Sequence, residues 1–158
     1  KTYDSVGELS SNQFRYSMLH RDHEEDILAY AAKHDIATLT YWSLEAGLLA
    51  GKVNLERVFE KNDFRNHAAQ WHPWYKKENI ERLLDVFVKW SDILNRHECT
   101  LSQLVIAWTA AQPGASHVLC GAKTAAQSEQ NAAAGSLVLE PDEIDRIRDD
   151  LNALGDPI

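Results

Sequence analysis

No run of apolar residues in this chain approaches the roughly 18 to 20 that span a bilayer as a helix, so nothing in the sequence reads as a membrane segment. No lysine- or arginine-rich block is present either, and a formal charge of −8 at pH 7 repels phosphate backbones over the whole surface. Nucleic acid is therefore not an expected partner. Cysteine is scarce: Cys99 precedes a predicted helix cap, while Cys120 ends an apolar run. Settings so unlike argue against a structural disulfide, and neither thiol has a paired histidine visible in the sequence to support nucleophilic chemistry. His20 with His23, and His67 with His72, lack the companion spacing of a dedicated metal site, so no metal is expected. With no signal-like leader, a reduced, cytoplasmic protein is the default. There is no internal repeat of fixed length and no low-complexity segment.

What is present is a globular composition. The 158 residues are 44% hydrophobic and carry five Trp, five Tyr and four Phe, enough for one domain with a single core and short for two. The first residue is Lys1 rather than Met, and Lys1-Thr-Tyr-Asp-Ser-Val6 reads like the interior or end of a helix. The expectation is that residues 1–158 are part of something longer.

Helical and strand signals alternate. Residues 9–14 read as a short strand, and Asp22 with Glu25 three positions on fits a capping box opening a helix through Ile27, Leu28, Tyr30 and Ala31. A buried strand is predicted over 36–41. Residues 45–77 hold Gly47, Gly51, Pro73 and several aromatics, too irregular for one element and longer than ordinary loops. Ile80, Leu83, Leu84, Phe87, Trp90 and Leu94 form one apolar stripe, predicting a helix over 78–97. Thr100 with Gln103 is a second capping box, opening a helix that stops at Pro113-Gly114. A third strand is expected over 117–120, a short helix over 127–134, and a last helix from Pro141, with proline and acids in its first turn. Lone buried strands separated by helices imply a parallel α/β sheet with right-handed crossovers, either doubly wound or closed as a barrel.

The junction Gly121-Ala-Lys123-Thr124 has two readings. A helix N-terminus leaves backbone N–H groups unpaired and carries about half a positive charge, so an anion is stabilised there, and Lys123 adds a full charge. Alternatively Gly121 only ends a strand, Thr124 only caps a helix, and Lys123 is only solvated.

Three strand ends carry suggestive residues: Asn12-Gln13, Tyr41-Trp42-Ser43-Leu44 and Gly121 to Thr124. Ligands in parallel α/β folds bind at the C-terminal ends of strands, so these clusters are expected around one site. With the motifs Asn12-Gln-Phe-Arg-Tyr-Ser-Met-Leu19, Tyr41-Trp-Ser-Leu-Glu-Ala-Gly-Leu-Leu-Ala-Gly-Lys52, Leu101-Ser-Gln-Leu-Val-Ile-Ala-Trp108 and Gly121-Ala-Lys-Thr-Ala-Ala-Gln-Ser-Glu-Gln-Asn131, in that order, the chain resembles the aldo-keto reductases over nearly its whole length. The resemblance implies part of a (β/α)8 TIM barrel, about strands 6 to 8 with their helices. Residues 1–158 would be the C-terminal portion of one barrel domain, not a closed barrel on their own. It further implies NADP(H) as cofactor and a small-molecule aldehyde or ketone as substrate.

By the same resemblance, Gln13 holds the nicotinamide carboxamide and Tyr41 is the ring on which nicotinamide stacks. The chemistry agrees, since a carboxamide needs a paired donor and acceptor and a flat ring fixes which face meets the substrate. The competing reading is a satisfied core glutamine and a core tyrosine. Trp42, Ser43, Leu44, Gly47, Leu48 and Lys52 correspond to the loop that wraps the pyrophosphate, where small residues permit close backbone approach and a lysine balances charge. Arg65 either clamps the cofactor from the long loop or is simply exposed. Gly121, Lys123 and Thr124 correspond to the 2′-phosphate contacts, with Gln127, Gln130 and Asn131 near the adenine. The run Trp71-His-Pro-Trp-Tyr75 is a lid, a patch facing another subunit, or a packed anchor.

Two departures from the family pattern stand out. Many members have Tyr-Ser-Pro-Leu where this chain has Tyr41-Trp-Ser-Leu44, so the turn loses its proline and gains a bulky ring. The family's catalytic aspartate, tyrosine, lysine and histidine lie on earlier strands, and no residue here inherits those roles. A closed barrel takes about 250 residues, so the rest is expected in the same polypeptide or another chain. The alternatives are a non-catalytic NADP-binding regulatory subunit resembling the potassium channel beta subunits, or an inactive fragment.

Overall fold

The computed structural model describes residues 2–3 and 5–158. The helix expected at the start falls partly on Lys1 and Asp4, outside the described residues; Thr2, Tyr3, Ser5 and Val6 lie in turns. Three parallel strands, β1 (Ser11–Arg15), β2 (Ala37–Tyr41) and β3 (His117–Val118), form one sheet in the order β1-β2-β3. The register sets Gln13 against Leu39, Arg15 against Tyr41, and Leu39 against His117. Because side chains alternate across a strand, Gln13, Arg15, Leu39 and Tyr41 share one face. Phe14, Thr38 and Thr40 are buried on the other. There Phe14 packs with Tyr16 and Leu28, and the Thr38 hydroxyl donates to Gly114 O at 2.7 Å while accepting from Ser116 N at 2.9 Å.

The crossover from β1 to β2 is a π-helical turn, Glu24–Leu28, running into α1 (Ala29–His34), which ends at left-handed Asp35. The expected Asp22–Glu25 capping box does not form: His23 occupies the cap, with its Nδ1 3.2 Å from Asp26 Oδ1. Three short 3₁₀ turns, Glu45–Ala50, Phe64–Gln70 and Pro73–Tyr75, punctuate residues 45–75, and residues 51–63 form no helix or strand, in keeping with an irregular stretch.

The helix predicted over 78–97 is two helices, α2 (Lys77–Lys89) and α3 (Ser91–Arg96), broken at Trp90. Trp90 is fully buried and its indole N–H donates to Asp150 Oδ2 at 3.0 Å, while the Ser91 hydroxyl takes Val88 O at 2.6 Å. The Ser91 hydroxyl competes with backbone N–H groups for the Val88 carbonyl at the break, while the indole bond ties the same point to Asp150. The capping box at Thr100 does form and opens α4 (Leu101–Ala110). Thr124 caps α5 (Ala125–Ala133), and α6 (Pro141–Leu154) begins with a Glu140–Glu143 box. Leu83, Phe87, Trp108, Ile147 and Leu151 join α2, α4 and α6 in the main core. Each such side chain contributes about 1.5–3 kcal/mol by leaving water. Strand β3 is shorter than expected; beyond Val118 only Leu119 N continues the pairing, donating to Thr40 O at 2.8 Å.

Candidate cofactor-binding site

The helices leave one face of the sheet uncovered. Gln13 is exposed on it, and Tyr41, one strand away and opposite Arg15, is 37% exposed. Asn12 and Gln13, expected after the first strand, lie inside β1, while Tyr41 is the last residue of β2; in this chain the Gln13 and Tyr41 side chains are both accessible.

After Tyr41 the backbone turns through left-handed conformations that non-glycine residues rarely adopt: Trp42 at φ 63°, Glu45 at 44° and Ala46 at 52°, followed by Gly47 at 101°. Each such non-glycine position costs about 1–3 kcal/mol and persists only where its surroundings over-determine it. Ser43 is buried with its hydroxyl 3.3 Å from Thr40 O, and Leu48 is buried in the main core. Leu44 is half-buried and its carbonyl accepts from Gly47 N at 2.9 Å. Ser43, Leu44 and Leu48 thus root the loop, so that only backbone is available to a ligand at Leu48. Gly51 and Lys52 lie exposed at its end.

Arg65 lies over this loop. It pairs with Asp63 through Nε at 2.8 Å and Nη2 at 2.6 Å, donates from Nη1 to Ala46 O at 3.3 Å, and covers the Phe59 ring at 4.4 Å. A methyl on Gly47 would sit 3.4 Å from Arg65 Nη1, so the glycine allows the arginine to close down. Hydrogen bonds from Arg65 hold the Asp63 carboxyl well below the carboxylate range, and the charge of Lys123 lowers it further. Arg65 is mostly covered and internally paired, neither a free clamp nor a simply exposed arginine.

Residues 121–130 are exposed. The Thr124 hydroxyl accepts from Gln127 N at 3.2 Å, Gln127 Oε1 accepts from Lys123 N at 2.7 Å, and Asn131 Nδ2 donates to Gly121 O at 3.4 Å. Capping is therefore real, and it leaves the Lys123 ammonium presented beside the first turn of α5. Gln127 and Asn131 shape this turn, while Gln130 points from the exposed helix.

The sequence reading missed the group beneath the loop. Glu45, fully buried, accepts from the Ser17 hydroxyl at 2.5 Å, Arg15 Nη2 at 2.6 Å and His72 Nε2 at 2.7 Å. Burial pulls its acidity toward the neutral form, but the bonds from His72, Arg15 and Ser17 outweigh it and hold the carboxyl below its ordinary range. The Trp42 ring stacks on His72 with centroids 5.9 Å apart and covers the Arg15 guanidinium at 4.9 Å, where Arg15 Nε is buried without a hydrogen-bond partner. Of residues 71–75, His72, Trp74 and Tyr75 are packed inside, and Trp71 is 50% exposed, stacked on Phe64. The segment is an anchor with one outward ring.

A concavity of about 620 Å³ lies elsewhere, lined by Leu9, Asn12, Ile27, Tyr30 and Ile36 among others. Cys99 and Cys120 are unbridged, and burial pushes the Cys120 thiol up to about 11. Among the described residues no helix is long and apolar enough to cross a membrane.

Comparison with known proteins gives a consistent result. The profile described as "Aldo/keto reductase family" matches residues 2–151. The NADH-specific methylglyoxal reductase of Escherichia coli (strain K12) is 29% identical over 154 residues, 98% of this chain and 45% of that protein. An aldo-keto reductase of Bacillus subtilis (strain 168) is 35% identical over 130 residues, 81% of this chain and 38% of that one. The structure of a glycerol dehydrogenase from Gluconobacter oxydans superposes with a TM-score of 0.84 at 27% identity, over 99% of this chain and 46% of its own. An aldo/keto reductase from Klebsiella pneumoniae, in complex with NADP and acetate, shares the fold at a TM-score of 0.57 and 22% identity, over 87% of this chain and 38% of its own. The chain spans less than half the length of each of these relatives.

Proposed function

This chain belongs to the aldo/keto reductase family, and from that premise we propose that it is the cofactor-binding half of a nicotinamide-dependent oxidoreductase that reduces an aldehyde or ketone. Residues 1–158 are, in this reading, the C-terminal portion of a single barrel domain, about strands 6 to 8, and the uncovered sheet face is where the remaining strands close the barrel. The observation that carries it is that Gln13, in the middle of β1, and Tyr41, at the end of β2, share that face one strand and two register positions apart, both exposed in this chain. Gln13 offers the donor and acceptor that a carboxamide needs, and Tyr41 offers a flat ring to set which side of it faces the substrate. The nicotinamide supplies the hydride when bound. The proton comes from a residue outside this chain, by resemblance a tyrosine.

The preference for NADP(H) rests on Lys123 and Thr124 beside the first turn of α5, where an additional phosphate is stabilised by a full charge and by the helix terminus. The Escherichia coli relative is NADH-specific, so the two cofactors must be separated by measurement. The test is fluorescence titration of NADPH and NADH against the polypeptide carrying this chain and its Lys123→Ala variant. Loss of NADPH affinity by roughly tenfold with NADH unchanged supports the 2′-phosphate assignment. Equal affinities before and after substitution overturn it, and no binding of either dinucleotide overturns the cofactor reading itself.

A further inference from the structure

Glu45 sits where four separate pieces of chain meet. Its carboxylate takes the end of β1 through Arg15, the following turn through Ser17, and the aromatic segment through His72. Its own backbone forms the left-handed stretch with Ala46 and Gly47. The stretch is gripped again from above, where Ala46 O accepts from the Tyr75 hydroxyl at 3.0 Å and from Arg65 Nη1. An ionised carboxylate is buried at this depth only when its oxygens are satisfied, and here Ser17 fills one while Arg15 and His72 fill the other. The strained backbone and the buried charge are joined at one residue: removing the charge and its bonds leaves Glu45 and Ala46 held by the buried Ser43 and Leu48 and by Tyr75 and Arg65, and lowers the resistance to relaxation toward ordinary conformations.

We propose that Glu45 is a positioning residue whose carboxylate, locked by Ser17, Arg15 and His72, holds the loop over residues 42–47, left-handed at Trp42, Glu45, Ala46 and Gly47, in the form that receives the pyrophosphate of the dinucleotide. The inference rests on the cofactor reading above. Glu45 does not touch the ligand; it acts through the backbone of Ala46 and Gly47 and through Trp42, whose ring lies over the Arg15 and His72 side chains that the carboxylate binds.

The test compares Glu45→Ala with Glu45→Gln in the polypeptide that carries this chain. A glutamine can accept from Arg15 and His72 with its oxygen and donate to the Ser17 oxygen with its amide, so it keeps the shape and removes the charge. Dinucleotide affinity is measured by fluorescence titration, and amide hydrogen exchange is followed over residues 42–50, with α4 and α6 as internal references. Glu45→Ala is expected to weaken the better-bound dinucleotide by roughly tenfold or more, the scale of losing hydrogen bonds to a buried charge. Exchange should quicken over 42–50 while α4 and α6 keep their protection, and Glu45→Gln should recover part of both effects. Unchanged affinity with unchanged exchange overturns the proposal. Protection lost equally from 42–50, α4 and α6 also overturns it, because Glu45 would then support the whole fold rather than the loop. If the unsubstituted protein binds neither dinucleotide, the cofactor reading falls, and exchange over 42–50 alone decides whether Glu45 holds the loop.

Discussion

Arg148 reaches Glu24 across 124 positions of sequence, its Nη1 donating to Oε2 at 2.7 Å. The other Glu24 oxygen accepts from the hydroxyl of Tyr16 at 2.6 Å, and Tyr16 is fully buried. Arg148 also donates to Gln112 and lies over the Trp108 ring at 5.4 Å, so α6, α4 and the segment after β1 meet around the Arg148–Glu24 ion pair.

Glu24→Ala is expected to destabilise the protein by about 1–3 kcal/mol, because it strands the buried Tyr16 hydroxyl without an acceptor. Tyr16→Phe removes the donor as well and should cost less, and the double variant should cost less than the sum of the two. Urea denaturation of the three variants gives the comparison. Strict additivity would mean that the hydroxyl finds another partner and the network is not coupled.

A second prediction concerns Gly114, whose φ of 85° and position make it irreplaceable. A Cβ there would lie 2.3 Å from the backbone oxygen of Leu28, which cannot swing aside, and the Gly114 carbonyl is already fixed by Thr38. Gly51 is also left-handed, at φ 65°, but a Cβ there meets only a Leu101 methyl at 3.2 Å. Gly51→Ala should therefore cost about 1 kcal/mol, the ordinary price of left-handed alanine. Gly114→Ala should cost about 2–4 kcal/mol, with the clash added. Similar losses for the two would show that the segment at 114 yields and that the contact with Leu28 is not rigid.

What could be read from sequence was what is decided locally. The Thr100–Gln103 box, the strand over 36–41 where β-branched and aromatic residues cluster, and the proline-led α6 all depend on neighbours within a few positions. The misreadings differ in origin. Asp22 met the spacing rule for a cap, but the adjacent His23 occupies the position, a choice made within four residues. The stripe from Ile80 to Leu94 has helical period throughout, yet the helix breaks at Trp90, where the Ser91 hydroxyl bonds Val88 O and the indole N–H is tied to Asp150 on α6. Glu45 looked like one more acid in a glycine-containing loop, because Arg15, Ser17 and His72 lie about 30 positions away on either side. The candidate site was read through family resemblance; residue pattern alone gave only that three strand ends converge.

Acid should expose the buried carboxylates. Glu45 and Glu143 both feel burial, which favours the neutral form, but donors overcome it: His72, Arg15 and Ser17 at Glu45, and Glu140 N, His97 and Arg96 at Glu143. Both carboxyls are thus held below their unfolded-chain value of about 4.3. Unfolding must take up protons once the pH falls under that value, so their stabilisation is complete above about pH 4.5 and is lost as the pH drops through the depressed native values. The urea midpoint should fall steeply below about pH 4.5. In Glu45→Gln, which has one carboxylate fewer, that limb should be shallower. An equal slope in the variant would mean that Glu45 is not ionised in the native protein.

Alkali tests the opposite case. Burial raises the phenols of Tyr16 and Tyr75 above their ordinary range, reinforced at Tyr16 by its bond to Glu24. A group whose native pKa is raised favours the fold while the pH is below its unfolded value, near 10 for a phenol, and withdraws that support as the pH climbs beyond it. The difference in phenolate absorbance between the protein and its Tyr16→Phe variant isolates one ring. In the native protein that difference should stay flat past pH 10 and rise only when the protein unfolds, whereas in concentrated urea it should rise near 10. A native difference curve centred near 10 would place the hydroxyl in water and remove the buried donor on which the Glu24 junction depends. The same curve recorded in Glu24→Ala separates the two causes. With the carboxylate gone and burial unchanged, the phenol should ionise earlier than in the parent protein but still later than in urea.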